Sequence, residues 1–418
     1  MIAYDPLDPP DWQDPYPTYA RLRDEAPVHY AEKTGTWCVS RHADVARVLR
    51  DAETFSSAAA FEILMKDRAR VGLGEAFEIA RYLYRARLNP LRMRRRPPSS
   101  IITSDPPQHD AMRAIVNRGF TPRQVRRLEP RMREIVAGCM RKLHGGRPFD
   151  VVRDLAVPLP VSIIADLLGV GEERHADFKR WSDDIIAGSS GSQRTGTLGP
   201  FLRSMGELVA YMREVADERR RRPADDVIST LVDPAHGETL DAATLGQFVV
   251  VLLVAGNETT TNLIGNGVKA LLDHPEQLER VRAEPDRLPN MVEEMLRFDT
   301  PVQYVFRRTT RETEIAGTAI TADASVCVLL ASANRDERRF ADPDRFDVTR
   351  DTRGHLGFGL GIHFCLGASL ARLEARTAFE ALLPELTRMQ RGGTASSFVD
   401  SYLVRGLDRL ELVPAAAA

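Results

Sequence analysis

What the chain has little of narrows its function first. Four cysteines in 418 residues, Cys38, Cys139, Cys327 and Cys365, are too few and too scattered for a disulfide framework. A reducing, cytoplasmic setting is therefore expected. An excess of one charge is also missing: 57 basic against 59 acidic residues leave a formal net charge of −2, which favours neither nucleic acid nor an anionic membrane as a partner. No apolar run approaches the ~20 residues that a bilayer span requires; the most apolar, FVVVLLVAG at 248–256, falls far short. The opening MIAYDPLDPPDWQDPYPTY is acidic and proline-rich, without the charged-then-apolar build of a signal peptide or an anchor. Internal repeats and low-complexity linkers are absent as well. Nothing marks a boundary, so a single domain over 1–418 is expected.

What is present is an ordinary globular composition, 43% hydrophobic and 28% charged, sufficient for a large core. Apolar residues recur at helical spacing over 14–25, 42–50, 108–119, 123–142, 153–168, 172–187, 199–221, 241–273, 289–298 and 366–383. Alternating or β-branched pieces at 28–30, 36–39, 303–308 and 326–330 read as strands. The fold class is mainly α with a small β portion. Two stretches read as mobile connections, 56–107 and GSSGSQRTGTLGP at 188–200, of the kind that form lids or binding loops. The RMRRRPP cluster inside the first lacks interleaved aromatics, so a solvated loop is a better reading than a nucleic-acid patch.

The stretch HLGFGLGIHFCLG, 355–367, sets Cys365 among Gly357, Gly359, Gly361 and Gly367. An amphipathic run with Leu366, Leu370, Leu373 and Phe379 on one side follows at once, which puts the sulfur at a helix N-terminus. Unpaired N–H groups and the helix dipole favour negative charge there. The glycines let the backbone turn tightly and approach something flat without Cβ clashes. A thiolate on such a loop suits a metal held in a planar cofactor. Three other readings compete: a dinucleotide loop, for which no clean βαβ setting precedes GFGLG; a zinc site of His355, His363 and Cys365, whose spacing is not the usual paired one; and a buried structural cysteine, the ordinary fate of a lone one.

FGLGIHFCLG, 358–367, resembles the heme-ligand signature of the cytochrome P450 family, phenylalanine-glycine-x-glycine-x-histidine-x-cysteine-x-glycine, with every defined position filled. Three further family motifs follow the expected order, and similarity runs from DPYPTYARLR to SYLVRGL, essentially the whole chain. The resemblance implies the family's triangular, mostly helical architecture, with heme b between the long 241–273 helix and the cysteine loop. At ~1.5 Å per residue that helix is about 50 Å long.

Its apolar run breaks into NETTTN, 257–262. Taken alone, such a patch is as readily a satisfied hydrogen-bond cluster, its threonines bonding back to carbonyls one turn earlier and bending the helix. Ala255-Gly256-Asn257-Glu258-Thr259-Thr260 also resembles the family's oxygen-activation segment. Oxygen activation needs two protons before the O–O bond cleaves. The resemblance gives Thr259 the role of steadying a water and Glu258 that of relaying protons from solvent. Gly256 would leave room for oxygen, and thiolate ligation of the iron by Cys365 favours the cleavage from the other face.

Glu294 and Arg297 lie three apart in NMVEEMLRF. Exposed, such a pair is worth only ~0.3–0.5 kcal/mol; the resemblance implies a buried pair bracing the cysteine loop, with Arg345 of FADPDRF as third member. In DPPQHDAMR, His109 and Arg113 share a helical face, and the family match assigns both to a heme propionate. The resemblance also makes Arg307 the second propionate arginine, placed in the family pattern by its spacing to Glu314 and Gly317, with Arg308 as a rival. His363 falls where the signature has a propionate histidine, and Phe358 should pack near the sulfur.

The chain is thus identified as a member of the soluble bacterial type, a monooxygenase using O₂, a ferredoxin and a ferredoxin reductase, and expected to be monomeric. Arg113, Arg118 and Arg372 are candidates for a docking surface. Substrate contacts are expected from 60–100, 180–200, Val254, Ala255, Val302, Val305 and Phe398, largely apolar positions that suit a steroid, terpenoid, fatty acid or macrolide. A peroxide-driven variant would lack the acid–alcohol pair, a gas sensor would append a further module, and a sequestering protein differs only by assay.

Overall fold

The computed structural model describes residues 2–7, 11–60, 80–81, 84, 100–144, 148–189, 198–393, 395–401 and 403–415. Most of the 56–107 connection, including RMRRRPP, and most of 188–200 lie outside the described residues. The backbone divides into two compact units: Met1–Ile63, Glu129–Leu159 and Thr259–Ala418 form the first, and Leu64–Leu128 with Pro160–Glu258 the second.

The first unit carries all the β structure among the described residues. Its main sheet has the strand order β1 (Val28–Ala31), β2 (Thr36–Val39), β8 (Ser325–Val328), β5 (Val305–Thr309) and β3 (Phe55–Ser56). Strands β2 and β8 run parallel, with Trp37 opposite Val326 and Cys38 opposite Cys327; the other pairings are antiparallel. Val39, Phe55, Val326 and Val328 pack with Val45, Val48 and Leu49 of the helix His42–Arg50, which turns one apolar stripe to the sheet. Two smaller sheets are β4 (Phe149–Asp150) with β10 (Glu411–Pro414) and β9 (Met389–Arg391), and the hairpin of β6 (Thr313–Ile315) and β7 (Thr318–Ile320). The helices Glu129–Leu143 and Leu288–Phe298 pack on the helix Ala368–Leu386, which follows the cysteine loop.

The second unit is helical among its described residues. Helices His175–Ser189 and Leu198–Arg221 pack together, and the Arg174 guanidinium lies 5.2 Å from the Trp181 ring centre and 5.1 Å from that of Tyr211. The central helix, Ala242–Asp273, starts in this unit and passes into the first between Glu258 and Thr259. By length and composition alone it could cross a bilayer, yet 61% of its apolar window is buried in protein.

The helical periodicity locates each long helix, and proline explains where its boundaries fail. The stretch read as one helix over 123–142 is two, Pro122–Arg127 and Glu129–Leu143, the second with Pro130 in its first turn, where a missing N–H costs nothing. Likewise 153–168 becomes a π-type turn, Val152–Ala156, followed by a fresh helix at Pro158–Leu167. Short elements such as Val227–Val232, Leu330–Asn334 and the two- to four-residue strands β3, β4, β6, β7, β9 and β10 are too brief to show a period.

Candidate functional site

The cysteine loop is held by backbone bonds. The Cys365 N–H donates to the Phe358 carbonyl at 2.9 Å, closing the loop on itself, and the Ala368 N–H donates to the Cys365 carbonyl at 3.4 Å as the helix starts. Gly361 sits at φ +73°, where a Cβ would collide with the Leu49 carbonyl, so only glycine fits this turn. At Gly367, two residues past the sulfur, a Cβ would meet nothing within 4 Å. Cys365 is half-buried, whereas Cys38, Cys139 and Cys327 are buried. The loop thus presents one accessible sulfur beside bare backbone, a donor and a cradle that fit a planar metal cofactor.

The zinc alternative loses its histidines to other partners. His355 Nε2 meets Glu293 Oε2 at 2.9 Å, and His363 Nε2 meets Ser57 Oγ at 2.9 Å. Among the described residues no three His, Cys, Asp or Glu side chains converge as metal ligands.

Glu294 and Arg297 form the expected buried pair. Both are wholly buried, and Arg297 makes a fork to the carboxylate at 2.7 and 2.8 Å while donating to the carbonyls of Asn334, Pro343 and Arg345. The third cation is Arg350, not Arg345. Arg350 Nε reaches Glu294 Oε1 at 3.2 Å, while the Arg345 side chain turns out to Asp347 at 2.9 Å and contributes only its carbonyl. The chain path explains this: Asp342 adopts φ +45°, and the turn that follows brings position 350 back over Glu294. The Asp347 N–H completes the set on Glu294 Oε1 at 2.9 Å.

Of the rival arginines on β5, Arg307 is buried and Arg308 points to Asp323 at 3.2 Å. His109 is buried, with Nδ1 at 2.9 Å from Asp110 Oδ1, and Arg113 is half-buried on the same helix. Val302 and Val305 pack against the apolar core of the first unit, and Phe398 lies 3.6 Å beneath the Arg405 guanidinium. Val254 is half-buried and Ala255 exposed, although Leu252 and Leu253 just before them are buried. A Cβ at Gly256 would come within 3.0 Å of Ile164 Cδ1, so a larger residue there would have to push that side-chain tip aside. Arg118 donates to the Glu238 carbonyl and Arg372 to Glu293.

The polar run of the central helix divides by burial. Asn257, Thr260, Thr261 and Asn262 are buried. Asn257 donates to Ser182 at 3.1 Å and Thr260 hydrogen-bonds Glu374. Thr261 donates to the Ala156 carbonyl at 3.0 Å, reaching another segment rather than back along its own helix. Glu258 and Thr259 are half-buried. Burial pushes the Glu258 carboxyl up to about 7.

Glu374 was not anticipated from the sequence. It sits on the buried side of the helix Ala368–Leu386, four residues after Leu370 and four before Ala378. A charged residue in an apolar stripe was the available signal. Burial pushes it up to about 8, against the Thr260 hydrogen bond, and its Oε1 has no hydrogen-bond partner among the described residues. With the folded value raised above the ordinary 4.5, the group is cost-free below about 4.5 and its contribution is lost as pH rises toward about 8. The native state is therefore expected to lose on the order of 3 kcal/mol between pH 5 and pH 8 through this group. Denaturant midpoints at the two pH values check this: the Glu374→Gln variant should show the smaller slope, and equal slopes would refute the assignment.

Comparison with known proteins places the chain. The Cytochrome P450 family model matches residues 78–389. Among solved structures, cytochrome P450 CYP109Q5 from Chondromyces apiculatus is 42% identical with a TM-score of 0.84, each chain covered in full. CYP109E1 from Bacillus megaterium, solved in complex with corticosterone, is 32% identical with a TM-score of 0.83, covering 97% of this chain and 99% of that one. The 6-deoxyerythronolide B hydroxylase of Saccharopolyspora erythraea is 38% identical over 96% of this chain and 95% of its own length.

Proposed function

The chain belongs to the cytochrome P450 family and is a heme-thiolate monooxygenase; on that premise we propose that it hydroxylates a hydrophobic small molecule, of the size of a steroid or macrolide, with electrons from a ferredoxin and its reductase. Cytoplasmic location and a monomeric state belong to the same reading. Bound to the Cys365 sulfur, heme b supplies the activation of O₂ and the insertion of one oxygen atom into a C–H bond. The residues of the chain hold that group and manage protons. His109, Arg113, Arg307 and His363 are assigned to its propionates, whose burial needs cationic or hydrogen-bonding partners. Phe358 limits water near the sulfur.

One observation carries the reading: in a polar run whose other members are buried, Glu258 and Thr259 are the half-buried pair. Thr259 positions a water, and Glu258 passes it a proton. An acid at about 7 is matched to that task at neutral pH, holding its proton below that value and giving it up above. Product formation per O₂ consumed is expected to fall as pH rises through about 7 in the native protein. Glu258→Gln should lower the rate ~10²-fold and remove that step from the profile; a variant with the native profile would refute the relay.

For the substrate, Val254, Ala255, Val302, Val305 and Phe398 supply apolar surface. Two relatives support the class: one is a 6-deoxyerythronolide B hydroxylase, and another was solved in complex with corticosterone. The test is a compound library screened for the absorption shift on binding, followed by turnover with a ferredoxin and its reductase. Hydroxylated product from an apolar hit supports the reading, and tight binding without oxygenated product under any donor system would overturn it.

A further inference from the structure

Behind the cysteine loop lies a set of contacts that neither the brace at Glu294 nor the proton relay uses. Arg372, seven residues past Cys365 on the helix Ala368–Leu386, makes a fork to Glu293, Nε to Oε1 at 2.6 Å and Nη2 to Oε2 at 2.7 Å. The same guanidinium lies 4.5 Å from the centre of the Phe358 ring. Phe358 is the residue whose carbonyl accepts from the Cys365 N–H. Glu293 Oε2 also takes His355 Nε2 at 2.9 Å, and the Gly357 N–H donates to His355 Nδ1 at 3.1 Å. That second bond fixes the tautomer: Nδ1 accepts, so Nε2 carries the hydrogen that Glu293 receives. The carboxyl of Glu293 is held down to about 2, the hydrogen bonds from Arg372 and His355 outweighing its burial, so it is an anion throughout the working range.

Two features separate this cluster from an ordinary surface ion pair. The Arg372 side chain is 39% exposed, Glu293 22% and His355 7%, so the charges sit partly out of water. The guanidinium also stacks on the ring of Phe358, whose carbonyl accepts from the Cys365 N–H at 2.9 Å, so the cation is set against the loop that carries the sulfur. A cation committed to Glu293 and stacked on Phe358 is a poor docking contact for a partner protein, and a well-placed fixed charge for the sulfur.

We propose that Arg372 is a positioning residue for the cysteine ligand: anchored by Glu293 over the Phe358 ring, its charge draws electron density toward the sulfur and so raises the ease with which the heme iron takes up an electron. The inference rests on Cys365 being that ligand. It has a sign. Removing the cation should make reduction harder, and removing the anion that offsets it should make reduction easier.

The experiment uses the heme-loaded protein, reduced through small-molecule mediators without ferredoxin, so that partner docking contributes nothing. At a fixed ambient potential the ratio of reduced to oxidised protein is read from the absorption spectrum. Arg372→Met should lower that ratio about three- to tenfold, the upper end being a shift of about 59 mV for one electron. Arg372→Lys keeps the charge without the fork and should retain most of the native ratio. Glu293→Gln should raise it. If the three variants shift in one direction, or none moves while their melting temperatures fall, Arg372 is structural only and the inference is overturned. A native protein lacking the thiolate-type spectrum when reduced under carbon monoxide would instead remove the ligand assignment itself.

Discussion

Replacing Cys365 with alanine is expected to leave a folded chain that has lost the thiolate-type spectrum of the reduced, carbon-monoxide-treated protein. The fold should survive because the loop does not depend on the sulfur. Its closing bond runs from the backbone N–H of Cys365 to the Phe358 carbonyl, the helix start uses the Cys365 carbonyl, and Gly361 sets the turn against Leu49, all of which alanine preserves. The side chain is half-buried, and losing one sulfur from such a position costs within about 1 kcal/mol of stability in the absence of cofactor. What alanine removes is the soft anionic donor. Cys38, Cys139 and Cys327 are all buried and cannot stand in for it. Circular dichroism through a thermal melt checks the first half, and the carbon-monoxide difference spectrum the second. A native-type band in the variant would place the ligand elsewhere and remove the basis of the proposed mechanism.

The residues that were legible in the sequence share a property: their placement follows from local chain geometry, while the roles proposed for them come from the family resemblance. Cys365 at a glycine-rich helix start, the three-residue spacing of Glu294 and Arg297, and the adjacency of Glu258 and Thr259 are fixed once the helices are placed. Where the path of an irregular segment decides, the sequence is silent. Arg345 and Arg350 are both arginines in one loop, and only the turn after Asp342 shows which of them faces Glu294. Arg307 and Arg308 present the same difficulty in a strand, where neighbours point to opposite faces and the pairing with β8 decides which is inside. The central polar run could be read as a structural cluster or as chemistry; burial sets four of its residues apart from the half-buried Glu258 and Thr259, the pair proposed for the chemistry. Glu293 and His355, 62 residues apart, came together only in the folded chain.

Arg297→Lys is expected to lower the stability of the folded state by about 3–5 kcal/mol, the cost of leaving two or more buried carbonyls unpaired at about 1–3 kcal/mol each. The pair is worth so much to break because it is fully buried and its partners are satisfied. Arg297 spends its Nε and both terminal nitrogens on Glu294 and on the carbonyls of Asn334, Pro343 and Arg345, five hydrogen bonds in a planar fan. Lysine keeps the charge, but an ammonium offers three donors from one atom and cannot reach a carboxylate and three separate carbonyls together. Burial already lowers the basicity of Arg297 and is offset by Glu294. In the lysine variant Glu294 would have a single contact from position 297 in place of the fork, beside Arg350 and the Asp347 N–H, and the 343–350 segment would lose most of its anchor to the helix Leu288–Phe298. Glu294→Gln tests the same site from the other side, removing the charge while keeping the shape, and should cost a comparable amount because it strands the buried guanidinium of Arg297 and the half-buried one of Arg350. Denaturant unfolding of both variants gives the measure. In each, retention of heme should fall together with stability, since the Asn334 side chain accepts from the Leu356 N–H at 2.6 Å and its carbonyl accepts from Arg297, tying the brace to the start of the cysteine loop. Native-like stability in Arg297→Lys would show that this network is a solvent-screened pair in effect, contrary to its burial.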